Sequence, residues 1–123
     1  MERLQQWLDA YLRAWASNEP DDIRALFTDD GTYAGGPYDP HPWIGQDAIV
    51  REWLAHRDEP GEWTFDGRPI AMTGDVGVIE GRTHYTSGRD YANLWVVELA
   101  ADGLARSMVE WFMEPGPVRE GEE

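Results

Sequence analysis

The chain has 123 residues and a formal charge of −14, with no cysteine and with arginine as its only basic side chain besides histidine. A net charge of this size excludes a phosphate-backbone partner and disfavours an anionic membrane surface. The missing cysteines and lysines exclude disulfides, thiol nucleophiles, cysteine-based zinc sites and Schiff-base chemistry. A hydrophobic share of 41% with seven tryptophans is enough to build a folded core in one domain, over residues 1–115. No run approaches the roughly 18 apolar residues of a membrane span, and the amphipathic start carries no signal-peptide core, so a cytoplasmic protein is expected.

Leu4, Trp7, Leu8, Tyr11, Leu12 and Trp15 recur with helical spacing, predicting an amphipathic helix from about Glu2 to Ser17. Asn18-Glu19-Pro20 stops it and starts a short helix, Asp21 to Phe27. A strand follows around Thr32 to Ala34. Gly35 to Trp43 is too rich in proline and glycine for regular structure, and reads as a loop over a mouth or as a rigid connector. A third helix runs from Gly45 to about Arg57 and ends at Asp58-Glu-Pro-Gly61.

From Glu62 the period changes to that of strands, expected at 62–72, 76–86, 91–100 and 104–113. Their short links, Ala101-Asp-Gly103 above all, imply antiparallel neighbours. The fold class is therefore α+β, with three N-terminal helices packed on a curved antiparallel sheet. Both faces of the strand at 91–100 are largely apolar, so the face away from the helices is a candidate homodimer surface. The acidic tail, residues 116–123, has nothing to bury and is expected to be disordered.

The segments Trp15 to Asp30, Gly45 to Ile49, Tyr91 to Trp95, Asp102-Gly103 and Glu110 to Phe112 resemble the nuclear transport factor 2-like superfamily. Its SnoaL-like and ketosteroid isomerase-like members share a cone-shaped, cystatin-like roll. The resemblance covers residues 3–115 and implies a conical pocket and dimerisation through the sheet. It also implies a register, in which Met108, Glu110 and Phe112 point into the cone. Asn93 and Trp95 join them from the neighbouring strand, and Glu80, Arg82 and His84 from the one beyond. Tyr11, Trp15 and Trp53 complete the ligand-binding set from the helices, while Tyr33 and Tyr38 stand at the mouth.

The superfamily's chemistries match this chain unevenly. A ketosteroid-type isomerase would find its tyrosine at Tyr11, but Gly35 stands at the base position and Trp95 or Asn93 near the acid. A limonene epoxide hydrolase arrangement finds Tyr33, Arg82 and Glu110, with His84 and Gly35 replacing an aspartate and an asparagine. A SnoaL cyclase acid would fall near Met113. The resemblance thus implies Glu110, Arg82, His84 and Tyr33 as the catalytic candidates, with Arg82 pairing Glu110. His41, His56 and His84 have no paired ligand spacing, so no metal or cofactor is expected.

The functional expectation is binding of a small apolar molecule bearing oxygen groups, in an aromatic pocket with a polar floor. Hydrolysis or isomerisation in that pocket is the first alternative. A structural or protein-binding module using the outer sheet face is the second.

Overall fold

The computed structural model describes residues 1–116, so the predicted tail beyond Gly116 lies outside the described residues. The first apolar stripe forms α1 (Glu2–Ser17) and buries Leu4, Trp7, Leu8, Tyr11, Ala14 and Trp15. Asn18 ends it in the left-handed conformation, φ 52°, with its N–H on the Ala14 carbonyl, a cap geometry that asparagine tolerates better than most residues. Glu19 then caps α2 (Pro20–Arg24), with Pro20 in the first turn. This helix is shorter than its pattern implied, because Phe27 already belongs to β1 (Phe27–Ala34).

β1 reaches back to Phe27 because it pairs in parallel with the last strand, Phe27 opposite Ala105 and Tyr33 opposite Met108. That long-range partner is invisible to local pattern. The proline-rich loop closes with β2 (Trp43–Ile44), antiparallel to β1. α3 (Gln46–Ala55) follows and buries Ile49, Val50 and Trp53. The meander is β3 (Trp63–Thr73), β4 (Val76–Tyr85), β5 (Asp90–Leu99) and β6 (Ala105–Met113). One six-stranded sheet results, ordered β2-β1-β6-β5-β4-β3. It is antiparallel except for the β1–β6 pair.

The helices cover one face, where Trp95, Phe27, Leu4, Leu8, Met108 and Val97 are fully buried. Tyr11 of α1 rests on Trp95 of β5, ring centroids 4.7 Å apart, and Trp15 stacks on Trp63 of β3 at 3.7 Å. Burying this aromatic area is the main stabilising term of the layer contact.

β4 has the opposite register to the one expected. Gly77, Ile79, Gly81 and Thr83 are buried toward the helices, while Glu80, Arg82 and His84 are exposed on the outer face. Two glycines explain the choice of face. A Cβ on Gly77 would stand 2.5 Å from Leu4 Cδ2, and one on Gly81 would stand 2.3 Å from Phe65 Cζ. The inner face of β4 is therefore the one that lacks side chains at Gly77 and Gly81, so that Leu4 of α1 and Phe65 can lie on it.

Candidate functional site

One end of the helix–sheet layer opens into a cavity of about 400 Å³. It exists because large aromatics from different elements meet there without filling the space between them. α1 contributes Tyr11 and Trp15, β1 Tyr33, α3 Trp53, and β4 its last inward residue, Tyr85. The proline-rich loop brings Gly35, Asp39, His41 and Trp43, and the turn after α3 brings His56, Arg57 and Asp58. Glu110 of β6 completes the lining.

Glu110 is the residue the geometry singles out. Its Oε2 accepts a 2.6 Å hydrogen bond from the Tyr33 hydroxyl. Tyr33 in turn lies 3.0 Å from the Tyr11 hydroxyl. With Tyr33's proton committed to the carboxylate, Tyr11 must donate to Tyr33, giving the chain Tyr11→Tyr33→Glu110. Oε1 accepts no hydrogen bond among the described residues. Burial holds the Glu110 carboxyl above its ordinary pKa, and the nearby Asp58 charge adds to the effect, opposed by the Tyr33 bond and the Trp95 indole. Trp95 is Glu110's cross-strand partner, and its buried N–H meets no acceptor in hydrogen-bonding geometry. Burial and the Glu110 charge push both Tyr11 and Tyr33 well above the usual phenol range, so both are neutral hydroxyls.

A second carboxylate, Asp58, faces the same space. Its Oδ2 accepts from Trp15 Nε1 at 3.1 Å and from the Tyr85 hydroxyl at 2.9 Å. Burial and the Asp58 bond raise the Tyr85 pKa. Asn18 braces this wall, with Nδ2 on the Asp58 carbonyl at 2.9 Å and Oδ1 accepting from Trp53 Nε1 at 3.1 Å. The αL cap of α1 thus ties both helices to the backbone of the Asp58 turn. At the rim, Asp39 accepts the backbone N–H groups of Gly35 and His41. Those bonds hold its carboxyl below the usual range. Trp43 lies 4.9 Å from the Tyr33 ring, whereas Tyr38 is 95% exposed and away from the mouth.

The structure thus brings Tyr11, Trp15, Tyr33, Trp53 and Glu110 together as the sequence implied. Arg82 and His84 stand on the opposite face of the sheet, where His84 meets Asp90. Arg82 therefore does not pair Glu110, and the epoxide-hydrolase arrangement loses its arginine. Asn93, Trp95 and Met108 point inward but are core, Asn93 accepting from Thr83 Oγ1 at 2.7 Å. Phe112 is 53% exposed beyond the cavity's edge, edge-on to Tyr91. Asp58, Tyr85 and Trp43 were not singled out in the sequence. The turn containing Asp58 carried only a stop signal, and Tyr85 shares the inward parity of Ile79 and Thr83.

Among the described residues, no group of three histidine, cysteine, aspartate or glutamate side chains is placed to hold a metal ion. No helix among them is long and apolar enough to cross a membrane.

A curved sheet wrapped on a long first helix, with an aromatic cavity at its open end, defines a nuclear transport factor 2-like protein. The SnoaL-like domain family model matches residues 8–113, and the chain belongs to that family. Solved structures of the same shape include an NTF-2 like protein from Burkholderia xenovorans LB400. It is 20% identical, with a TM-score of 0.76 over 97% of this chain and 89% of its own. A ketosteroid isomerase-like protein from Erwinia carotovora atroseptica SCRI1043 is 17% identical, TM-score 0.64, over 90% of this chain and 94% of its own. A bacterial protein with a cystatin-like fold from Silicibacter pomeroyi DSS-3 is 17% identical, TM-score 0.65, over 87% and 73% respectively. At these identities the likeness is one of fold. No curated protein matches the chain.

Proposed function

We propose that the chain binds a compact small molecule in this cavity and that Glu110 exchanges a proton with it. The observation that carries the reading is the state of Glu110. It is a part-buried carboxylate with one oxygen held by Tyr33 and the other, Oε1, accepting no hydrogen bond among the described residues and facing the cavity, with the Trp95 indole beside the group. A carboxyl whose proton affinity is raised by burial is better matched to proton transfer near neutral pH than an exposed one. Tyr33, backed by Tyr11, fixes the carboxylate plane, so the free lone pairs keep one direction. The aromatic walls supply the apolar contact that a ligand body needs, and the volume lies within the range of ligand pockets.

The test starts from ligands found by thermal shift, since binding raises apparent stability whatever the chemistry. Each is incubated in D2O with wild type and with Glu110→Gln, and turnover and deuterium incorporation are followed by NMR. Loss of both in the variant at saturating ligand is the expected result. Equal rates in the two proteins would remove the proton-transfer role.

One observation favours a second reading, binding without chemistry. The Tyr11 and Tyr33 protons are directed at Glu110, and Arg82 is on the far side of the sheet. Negative charge developing on a ligand oxygen would find no free donor at the cavity floor among the described residues.

A further inference from the structure

The inner part of the cavity has an imbalance between hydrogen-bond donors and acceptors, and the imbalance specifies a ligand chemistry. The Trp15 N–H is taken by Asp58 and the Trp53 N–H by Asn18. The Tyr33 proton is taken by Glu110, the Tyr85 proton by Asp58, and the Tyr11 proton by Tyr33. The Trp95 N–H is buried beneath the cavity on the Glu110 side and is not exposed to a ligand. Each of these donors is spent or sealed. The acceptors are not: Glu110 Oε1 and Asp58 Oδ1 accept no hydrogen bond among the described residues. A ligand presenting carbonyl or ether oxygens to this surface would leave those oxygens and the two carboxylates unpartnered, which is costly in a desolvated site.

The remaining surface is ring. Tyr11, Trp15, Tyr33, Trp43, Trp53 and Tyr85 line the space, and ring faces attract cations through their quadrupole. Tyr85 already carries one, the Arg89 guanidinium lying 4.8 Å from its ring centroid. The guanidinium that lines the cavity itself, Arg57, is half exposed and paired with Glu59 at 3.1 Å. His41 and His56 are exposed at the mouth. Around all of this the chain carries a formal charge of −14, which draws cations toward a low-dielectric cleft.

We propose that the cavity selects a small organic cation, an alkyl- or arylalkylammonium group held among the rings with Glu110 and Asp58 as its counter-charges. The inference rests on the reading of the cavity as a ligand site and names the class of ligand. It replaces the oxygen-bearing apolar molecule expected from the sequence, because the inner cavity offers such oxygens no free donor among the described residues.

The experiment uses pairs of probes that differ by one charge at constant shape: 2-phenylethylammonium, whose N–H groups can reach the free carboxylate oxygens, against propylbenzene, and choline against 3,3-dimethylbutanol. Affinities are measured by tryptophan fluorescence and calorimetry on the full chain. The cation of a pair should bind at least about tenfold more tightly than its neutral isostere. The ratio should collapse toward one in Glu110→Gln and Asp58→Asn, both of which keep an acceptor for the tyrosine and indole donors. Near-UV circular dichroism checks that each variant keeps its packing, and the wild-type ratio stands without either variant. Neutral members binding as well as the cations would overturn the inference and leave the ligand site intact. Failure of every probe to bind would overturn the cation inference, while the ligand-site reading stands or falls on the thermal-shift screen.

Discussion

Removing a single oxygen tests the chain Tyr11→Tyr33→Glu110 directly. Tyr33→Phe keeps the ring against Trp43, Phe27 and Trp53 but deletes the hydroxyl that joins the other two groups. Two bonds disappear, the 2.6 Å bond to the carboxylate and the 3.0 Å bond from Tyr11. A bond to a charged group contributes about 1.5–3 kcal/mol and a neutral one about 1 kcal/mol. Water entering from the cavity offsets part of the loss, so a net destabilisation of about 2 kcal/mol is expected. For a chain of this length that is a fall in Tm of about 8 °C. The loss must also depend on pH. In the wild type the Tyr33 bond lowers the Glu110 pKa against the larger effect of burial. Without it the folded-state pKa rises further above the unfolded value. The extra loss is then fully present above the Glu110 titration and shrinks as pH falls through it, where the carboxyl is neutral in both folded proteins. Urea melts followed by tryptophan fluorescence, from about pH 4 to about pH 9, read both features. A loss under about 0.5 kcal/mol, or one that does not change with pH, would refute the reasoning.

The same linkage gives Glu110→Gln the opposite sign. Because the folded-state pKa is raised, the wild type loses stability as pH climbs from the unfolded carboxylate range through the folded one. The glutamine variant should therefore melt higher than wild type at neutral and alkaline pH, with the gap closing in acid; a gap that persists in acid counts against a buried, titrating Glu110. Asn18→Ala removes the bonds to Asp58 and Trp53 and puts alanine at φ 52°, a loss of about 3 kcal/mol. Asn18→Gly should recover about 1 kcal/mol of it in denaturant melts, and equal losses would mean the conformation contributes nothing. Gly81→Val would drive Phe65 from its place and cost about 1–3 kcal/mol, visible in near-UV circular dichroism. Leu94, Val96, Val109 and Trp111 share the outer sheet face, and a homodimer across it is the expected assembly. Sedimentation equilibrium should show a dimer for wild type and a monomer for Trp111→Glu; a wild-type monomer removes the interface.

The fold was legible where one face of an element had to be apolar. The stripe of α1 and the Asp102-Gly103 hairpin signal were enough to place the first helix and the last strand pair, and the family resemblance added the register that puts Tyr11 and Glu110 on one cavity. β4 was different, because its two faces compete: one carries Glu80, Arg82 and His84, the other Gly77 and Gly81. The register implied by the family resemblance puts the charged face inward, and local pattern does not oppose it: a polar row resembles the floor of a polar site, and glycine a weak strand. The hairpin decides otherwise. His84 pairs with Asp90, with residues 85–89 between them, so odd-numbered residues of β4 face odd-numbered residues of β5. A link of residues 87–90 would impose the other parity and turn every β4 side chain over, which is the register the family resemblance implied. Asn93 and Trp95 were already inward, which makes Gly81 and Ile79, their cross-strand partners, inward as well. Glycines on the parity that faces the helices are then no weakness: they are where Leu4 and Phe65 must fit. The cavity's second carboxylate had no such signal. Asp58 lies in a turn, and its place is fixed by Asn18, Trp15 and Tyr85, three contacts made across the fold. Polar groups held by element ends escape periodicity, because periodicity describes only the residues that repeat.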